Sequence, residues 1–361
     1  MLRRWWCEPI KGIDPSWLER GRLRQAQLTK PAGSLGLLEE IGVRISAMQQ
    51  QDIPCLDRVR MVVFAGDHGV AAAGVSAFPQ SVTVEMIHNF ARGGAAISVL
   101  ARHLGATLEV VDVGAVRDPG DLPGVVRCRV GAGTKDFRFS AAMTTEQLYL
   151  AMNAGREAVA RSVEGGSHIF LGGEMGIGNT TAATALVCAM LGVAPEGVTG
   201  SGTGVDGAGL ARKIEVIKQA LDFHRGSLGD PLAVLSAMGG FEIAALVGAY
   251  IAAGQVGIPV VVDGFIAGSA ALVAIGLQPE LKNWFFYAHQ SVEPGHRIVF
   301  AKLDERPLLD LNMRLGEGSG AAVVLPILRL ACALHGEMAT FAQAGVQEKQ
   351  LNIMPCGQKK N

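Results

Sequence analysis

From about Arg58 onward the chain repeats one hydropathy pattern: a short apolar run, a glycine-rich turn with a polar residue, then an alanine-rich helical stretch. "RMVVFAGDHG" leads to "SVTVEMIHNFARGGAAISVLARHLG", and "TLEVVDVG" follows at residues 107–114. "SHIFLGGEMGIGN" feeds "TTAATALVCAMLG", "IPVVVDGFIAG" feeds "SAALVAIGL", and "NWFFYAHQS" reads as a further strand. Alternating strands and helices predict an α/β fold, a parallel sheet with helices on both faces. In such sheets ligands gather outside the carboxyl ends of the strands. Asp67, His68, Asp112, Glu174, Asp263, His289 and Ser291 all fall there.

The two ends of the chain read differently. "SWLERGRLRQAQLTK" and "SLGLLEEIGVRISAMQQQ" place apolar residues three and four apart, and "GAAVVLPILRLACALHGEMATFAQAGV" is helical and strongly apolar. Residues 1–57 and 320–361 are expected to form a small helical domain beside a Rossmann-like domain at 58–319, with a polar tail, "QEKQLNIMPCGQKKN", at the end. Residues 243–262, "IAALVGAYIAAGQVGIPVVV", carry no charge and are long enough to span a bilayer. Pro259 and the β-branched "VVV" instead predict a buried helix, a break and a buried strand.

Composition narrows the function classes. A net charge of -1 over 361 residues gives no electrostatic reason to expect nucleic acid or an anionic membrane as partner. Six cysteines without a C-x-x-C pair suit a reducing compartment and argue against a disulfide framework or a zinc site. The opening "MLRRWWCEPIKGIDPSW" lacks the apolar core of a signal peptide, so a cytoplasmic location is expected.

Five stretches bear on the chemistry. In "IFLGGEMGIGNTTAATAL" the spacing from Gly173 to Thr180 approaches a P-loop, but Asn179 stands where the basic residue belongs, and Thr181 excludes the dinucleotide fingerprint. A glycine turn at a helix N-terminus still offers backbone N–H groups and the positive dipole end to an anion, here through Gly176, Gly178, Asn179, Thr180 and Thr181. The bland alternative is a tight turn that binds nothing. A second loop, "TGSGTGVDGAGLARK" at 199–213, alternates glycines with hydroxyls before a helix bearing Lys213. If both loops face one crevice, Lys213 supplies the missing cation; otherwise it is a solvated surface lysine. In "RLGEGSGAA", residues 314–322, Glu317 lies between glycines ahead of an apolar helix, as a general base or as that helix's cap. "AGDHGV" places Asp67 and His68 at a strand end; with His289 and His296 a metal is conceivable, but no ligand spacing supports it, and local hydrogen bonding is the expectation. "VVVDG" at 260–264 has a single Asp263 where diphosphoribosyl-binding strands carry two adjacent acids, so magnesium diphosphate is not expected.

Together, "KPAGSLGLLEEIGVRI", "VVFAGDHGVAAAGVSAFPQSVT", "RGGAAISVLAR", "GEMGIGNTTAATAL", "TGSGTGVD", "VVVDGFIAGSAAL", "AHQSVEPGH" and "LGEGSGAA" resemble the nicotinate-nucleotide–dimethylbenzimidazole phosphoribosyltransferase family, in family order from about Lys30 to Val346. The resemblance implies a Rossmann-like sheet, a small helical domain, a homodimer, no cofactor and no metal. It implies Glu317 as the catalytic base, with Glu174 beside it. The phosphoribosyl group would lie among Glu174, Gly176, Gly178, Asn179, Thr180, Ser201, Gly202, Thr203, Gly204, Lys213 and Ser291. Phe78, Met86, Met175 and Leu315 would form an apolar base pocket, adaptable enough to accept more than one flat aromatic base. Two alternatives stand beside this reading: a P-loop-like small-molecule kinase, disfavoured by Asn179, and a non-catalytic nucleotide sensor, which would not need Glu317.

Overall fold

The computed structural model describes residues 4–347. Among them six strands form one sheet: β1 (Val59–Gly66), β2 (Thr107–Gly114), β3 (Val125–Arg127), β4 (Ile169–Met175), β5 (Val260–Val262) and β6 (Phe285–Tyr287). All pair in parallel in the order β3-β2-β1-β4-β5-β6. The chain therefore winds outward from β1 through β3, then crosses back and winds outward on the other side. The order reverses between β1 and β4, whose ends are in register through Phe64 with Glu174 and Ala65 with Met175. A crevice opens at such a reversal, outside the strands' carboxyl ends. The α/β fold is that expected from the repeating pattern.

Burial explains why the strands do not alternate. Nearly every residue of β1, β4, β5 and β6 is buried, as a parallel sheet covered by helices requires. The uncharged stretch at 243–262 resolves as helix Phe241–Val256, ended by Gly257 at φ 82°, followed by β5. Ile243 through Tyr250 are buried in that helix. Among the described residues one helix, Ser319–Glu337, is long and apolar enough to cross a membrane by length and composition alone, and its Ala321, Ala322, Val324, Leu325 and Leu328 are buried.

Two local expectations need correction. The stretch from Ser81 to Leu104 is two helices, Ser81–Arg92 and Ala96–Leu104, because Gly93 takes a left-handed conformation at the end of the first. The helix Thr145–Glu164, started by a capping box of Thr144 and Gln147, escaped the sequence reading altogether.

The chain divides into two units. Among the described residues, one joins 4–13 with Leu56–Ile327; the other joins Asp14–Cys55 with 328–347. The first residues thus group with the sheet rather than with the helices. Trp5 and Trp6 are buried, Trp6 packs on Tyr149 at 4.5 Å, and Gln255 and Gln278 hold their carbonyls. In the smaller unit helices Pro15–Gln27 and Leu37–Gln49 pack together, and Gln25 bonds the buried His335 at 2.8 Å. The polar tail from Glu348, including Cys356, lies outside the described residues.

Candidate active site

Glu174 and Met175 end β4, and the turn Gly176–Gly178 leads into helix Asn179–Leu191. The turn is braced from below. Ile177 donates its N–H to Thr83 Oγ1 at 3.1 Å, the Thr83 hydroxyl donates to Asp67 at 2.6 Å, and Asp67 also accepts from Val116 N at 2.7 Å. His68 and Glu242 form a fully buried pair at 2.5 Å beneath the same turn. The strand-end polar residues of β1 are thus engaged in fixing the turn. His296 accepts from Ser291 N at 3.0 Å, and burial lowers its pKa to about 3, so its ring is neutral.

The two glycine loops meet at Lys213. Helix Gly207–Phe223 is capped by Asp206, and Lys213, one and a half turns in, is wholly buried. Its Nζ donates to Thr180 Oγ1 at 3.0 Å and to the Gly200 carbonyl at 3.1 Å. It is not a solvated surface lysine. Burial lowers its pKa to about 8, a shift that Glu293 partly opposes. Gly202 and Gly204 turn the second loop through left-handed conformations. Thr203 Oγ1 accepts from Ala77 N at 3.2 Å, tying that loop to the turn bearing Phe78.

Glu317 sits in a run of three residues with positive φ: Gly316 at 86°, Glu317 at 63° and Gly318 at 82°. That conformation costs a non-glycine residue about 1–2 kcal/mol, so surrounding contacts must hold it. Asp263, at the end of β5, accepts from Gly318 N at 3.1 Å and Ala321 N at 2.8 Å. Glu317 N donates to the Glu174 carbonyl at 3.3 Å. The capping alternative is corrected here: Asp263, not Glu317, serves the start of helix Ser319–Glu337. The Glu317 carboxylate instead accepts from Ile97 N at 3.4 Å, at the start of helix Ala96–Leu104. Burial raises its pKa above the ordinary carboxylate value. Burial and the neighbouring acids Asp263 and Glu242 raise that of Glu174 further, against the hydrogen bond it accepts from the Asn179 amide.

One cleft collects these elements. Glu174, Met175, Gly176, Asn179, Thr180, Gly202, Thr203, Ser291 and Leu315 all line it. Lys213 lies behind Thr180, and Glu317 directly follows the lining Gly316. Gly178 turns away, against His68 and Ala71. Ser201, Gly204, Phe78 and Met86 do not line the cleft; Phe78 is half exposed, and the Met86 sulfur accepts from Asn89. Glu293 and Arg314, which no motif reading singles out, line the cleft as well. Glu293 lies inside the quoted "AHQSVEPGH", and Arg314 heads "RLGEGSGAA", so the signal was present in both.

A reversal-point crevice with two glycine loops, one buried cation and the buried carboxylates of Glu174, Glu293 and Glu317 suits an enzyme that handles a phosphorylated sugar. Residues 10–346 match the family model described as Phosphoribosyltransferase. The chain is 54% identical over 349 residues to the nicotinate-nucleotide–dimethylbenzimidazole phosphoribosyltransferase of Pseudomonas fluorescens, covering 97% of this chain and 99% of that one. It is 52% identical to the protein of that name from Pseudomonas putida over the same shares. A crystal structure of the Thermus thermophilus protein of that name superposes with a TM-score of 0.88 at 44% identity, covering 93% of this chain and 100% of that one. The chain belongs to the nicotinate-nucleotide–dimethylbenzimidazole phosphoribosyltransferase family, enzymes whose substrates are small molecules. These relatives are named as transferases, and nothing in them favours the kinase or sensor alternatives.

Proposed function

We propose that the enzyme transfers the phosphoribosyl group of nicotinate mononucleotide to dimethylbenzimidazole. The products are α-ribazole 5′-phosphate and nicotinate, as in the nucleotide-loop assembly of cobalamin. The observation that carries this reading is the arrangement of Lys213 between two glycine loops with Glu174 and Glu317 in the same cleft region.

The 5′-phosphate sits at the loops, with Lys213 and the amides of Gly176 and Gly202 facing its charge. Nicotinate leaves from the anomeric carbon with the electrons of the C–N bond, which neutralise its pyridinium, so no acid is needed. One benzimidazole nitrogen forms the new bond from the opposite face, which turns a β substrate into an α product. The adduct is cationic until the other nitrogen loses its proton, and Glu317 takes it. Glu174, whose surroundings favour the protonated form, holds the ribose. Met175 and Leu315 face the base. The single monophosphate gives no reason for a diphosphate-bridging metal.

A homodimer follows from the family resemblance and is checked by light scattering. A cytoplasmic setting is supported by the free thiols of Cys7, Cys55, Cys128, Cys188 and Cys332. The deciding assay mixes protein, nicotinate mononucleotide and dimethylbenzimidazole in EDTA and follows free nicotinate. Release that depends on the base supports the transfer. No release, or release only with added Mg²⁺, overturns it.

A further inference from the structure

The mechanism above leaves one buried carboxylate of the cleft without a task. Glu293 stands at the N-cap of helix Pro294–Leu303, yet its side chain makes no capping bond there. It reaches across to the second glycine loop instead. Oε1 accepts from Gly202 N at 2.9 Å, Oε2 has no partner, and the residue is 7% exposed. The carboxylate also lies so close to Gly200 that an added Cβ there would collide with it. A buried carboxylate oxygen without a donor is costly unless a nearby positive charge offsets it. The cation facing it is Lys213, whose ammonium form its charge favours. Gly202 N–H and Lys213 are also groups that the proposed function assigns to the substrate's phosphate.

We infer that Glu293 is a stand-in anion: it occupies the Gly202 amide and balances Lys213 while the site is free, and turns aside when a phosphate monoester enters. The inference rests on the phosphate position proposed above. Two anions cannot share one amide and one ammonium without repulsion, so Glu293 opposes substrate binding. By the same repulsion it favours departure of the phosphorylated product. The effect falls on ground-state binding of the phosphate and leaves the base untouched.

Glu293→Gln tests this, because glutamine keeps an oxygen for the Gly202 amide and removes the charge. Inorganic phosphate is titrated calorimetrically into the unaltered protein and the variant. The variant is expected to bind phosphate about tenfold more tightly, the effect of removing one like charge at a partly solvated distance. KM for nicotinate mononucleotide should fall in parallel, with affinity for the base unchanged. Equal or weaker phosphate affinity in the folded variant overturns the inference. A second measurement needs no variant: a crystal structure of the unaltered protein grown with inorganic phosphate. A phosphate oxygen on Gly202 N with Glu293 rotated away is expected. Phosphate seated in the cleft with the Glu293–Gly202 bond intact overturns the inference. Phosphate that binds without competing against nicotinate mononucleotide places the failure in the proposed phosphate position, and the stand-in role fails with it.

Discussion

The backbone of Gly173, in the middle of β4, lies directly against the backbone of Glu317. A Cβ added at Gly173 would overlap the Glu317 carbonyl and come within 2.5 Å of Gly318 N. Glu317 is thereby placed from three sides: by Gly173 beneath it, by Asp263 on the following amides, and by the Glu174 carbonyl on its own N–H. A strained residue persists only where its surroundings over-determine it.

Gly173→Ala should therefore act on catalysis from beneath the sheet. The obstructing atoms are all backbone, so the Glu317 turn must move as a whole. A shift of about 1 Å in a reacting group costs on the order of 10²-fold in rate. We expect turnover to fall by at least that much, with a lower melting temperature. Gly197→Ala, where nothing lies within 4 Å of the added carbon, is the control. Normal turnover in folded Gly173→Ala would show that the turn tolerates displacement.

Glu317→Gln separates the base from a structural carboxylate. Loss of a positioned base costs roughly 10²–10⁴-fold in rate. Because burial raises the folded-state pKa of Glu317 above the ordinary glutamate value of 4.5, its protonation favours the native state. That contribution is full below the unfolded pKa and is lost as pH rises through the folded one. The neutral glutamine should thus leave stability at neutral pH unchanged or slightly higher. The acid limb of kcat/KM should lie above pH 4.5 and disappear from the residual activity of the variant. Near-normal turnover would shift the search for the base to Glu174.

Much of this was legible in the sequence, for identifiable reasons. The strand ends, the two glycine loops and Glu317 announce themselves by local composition, since glycine and a polar residue after an apolar run mark a strand's carboxyl end. Lys213 was legible only as a possibility, because burial of a helix residue depends on which loop folds over it. The roles of Asp263 and Glu293 were not legible: each acts on an amide 55 or 91 residues away, and no local pattern encodes such a pairing. Strand β3 has three residues, too few for a periodicity. Residues 4–13 group with the sheet because Trp5 and Trp6 are buried there, packing that no periodicity in the sequence signals. Phe78 and Met86 enter the base pocket only through the family resemblance, and neither lines the cleft.

Arg314 provides a test of the leaving group. It is exposed at the cleft and is the second cation lining or backing it, after Lys213. Nicotinate mononucleotide carries two separate anions, the phosphate and the ring carboxylate. Arg314→Gln should raise KM for nicotinate mononucleotide by about 3–10-fold, the worth of a partly exposed charge pair. The corresponding nicotinamide nucleotide, which lacks the carboxylate, should bind equally well to both proteins. Equal losses for the two nucleotides would remove Arg314 from leaving-group recognition.

Lys213 yields the clearest pH dependence. Its pKa falls to about 8 because the ammonium is desolvated, so in the free enzyme the charge is present at pH 7 and lost above pH 8. The charged form must bind the phosphate, so kcat/KM for nicotinate mononucleotide should decline above about pH 8. A bound phosphate restores a counter-charge and raises that pKa, so the decline in kcat should begin at higher pH. Lys213→Arg, which stays charged, should abolish the alkaline limb even if the longer guanidinium lowers the rate. The effect of Lys213 on stability has the opposite sign. A lysine whose folded pKa is depressed binds fewer protons in the native state, so at neutral pH it destabilises the free protein, a burden relieved between about pH 8 and the ordinary lysine value of 10.5. Lys213→Met keeps most of the buried stem and removes the charge. It should bind nicotinate mononucleotide at least about tenfold more weakly, since a charge-assisted contact is worth roughly 1.5–3 kcal/mol, while its melting temperature at pH 7 reads the balance between relief of the desolvated ammonium and loss of the cation that faces Glu293. Thermal unfolding and nucleotide titration on the same sample read both effects. A variant that melts lower and still binds the nucleotide normally would make Lys213 a structural bridge between the loops and leave the phosphate without its cation.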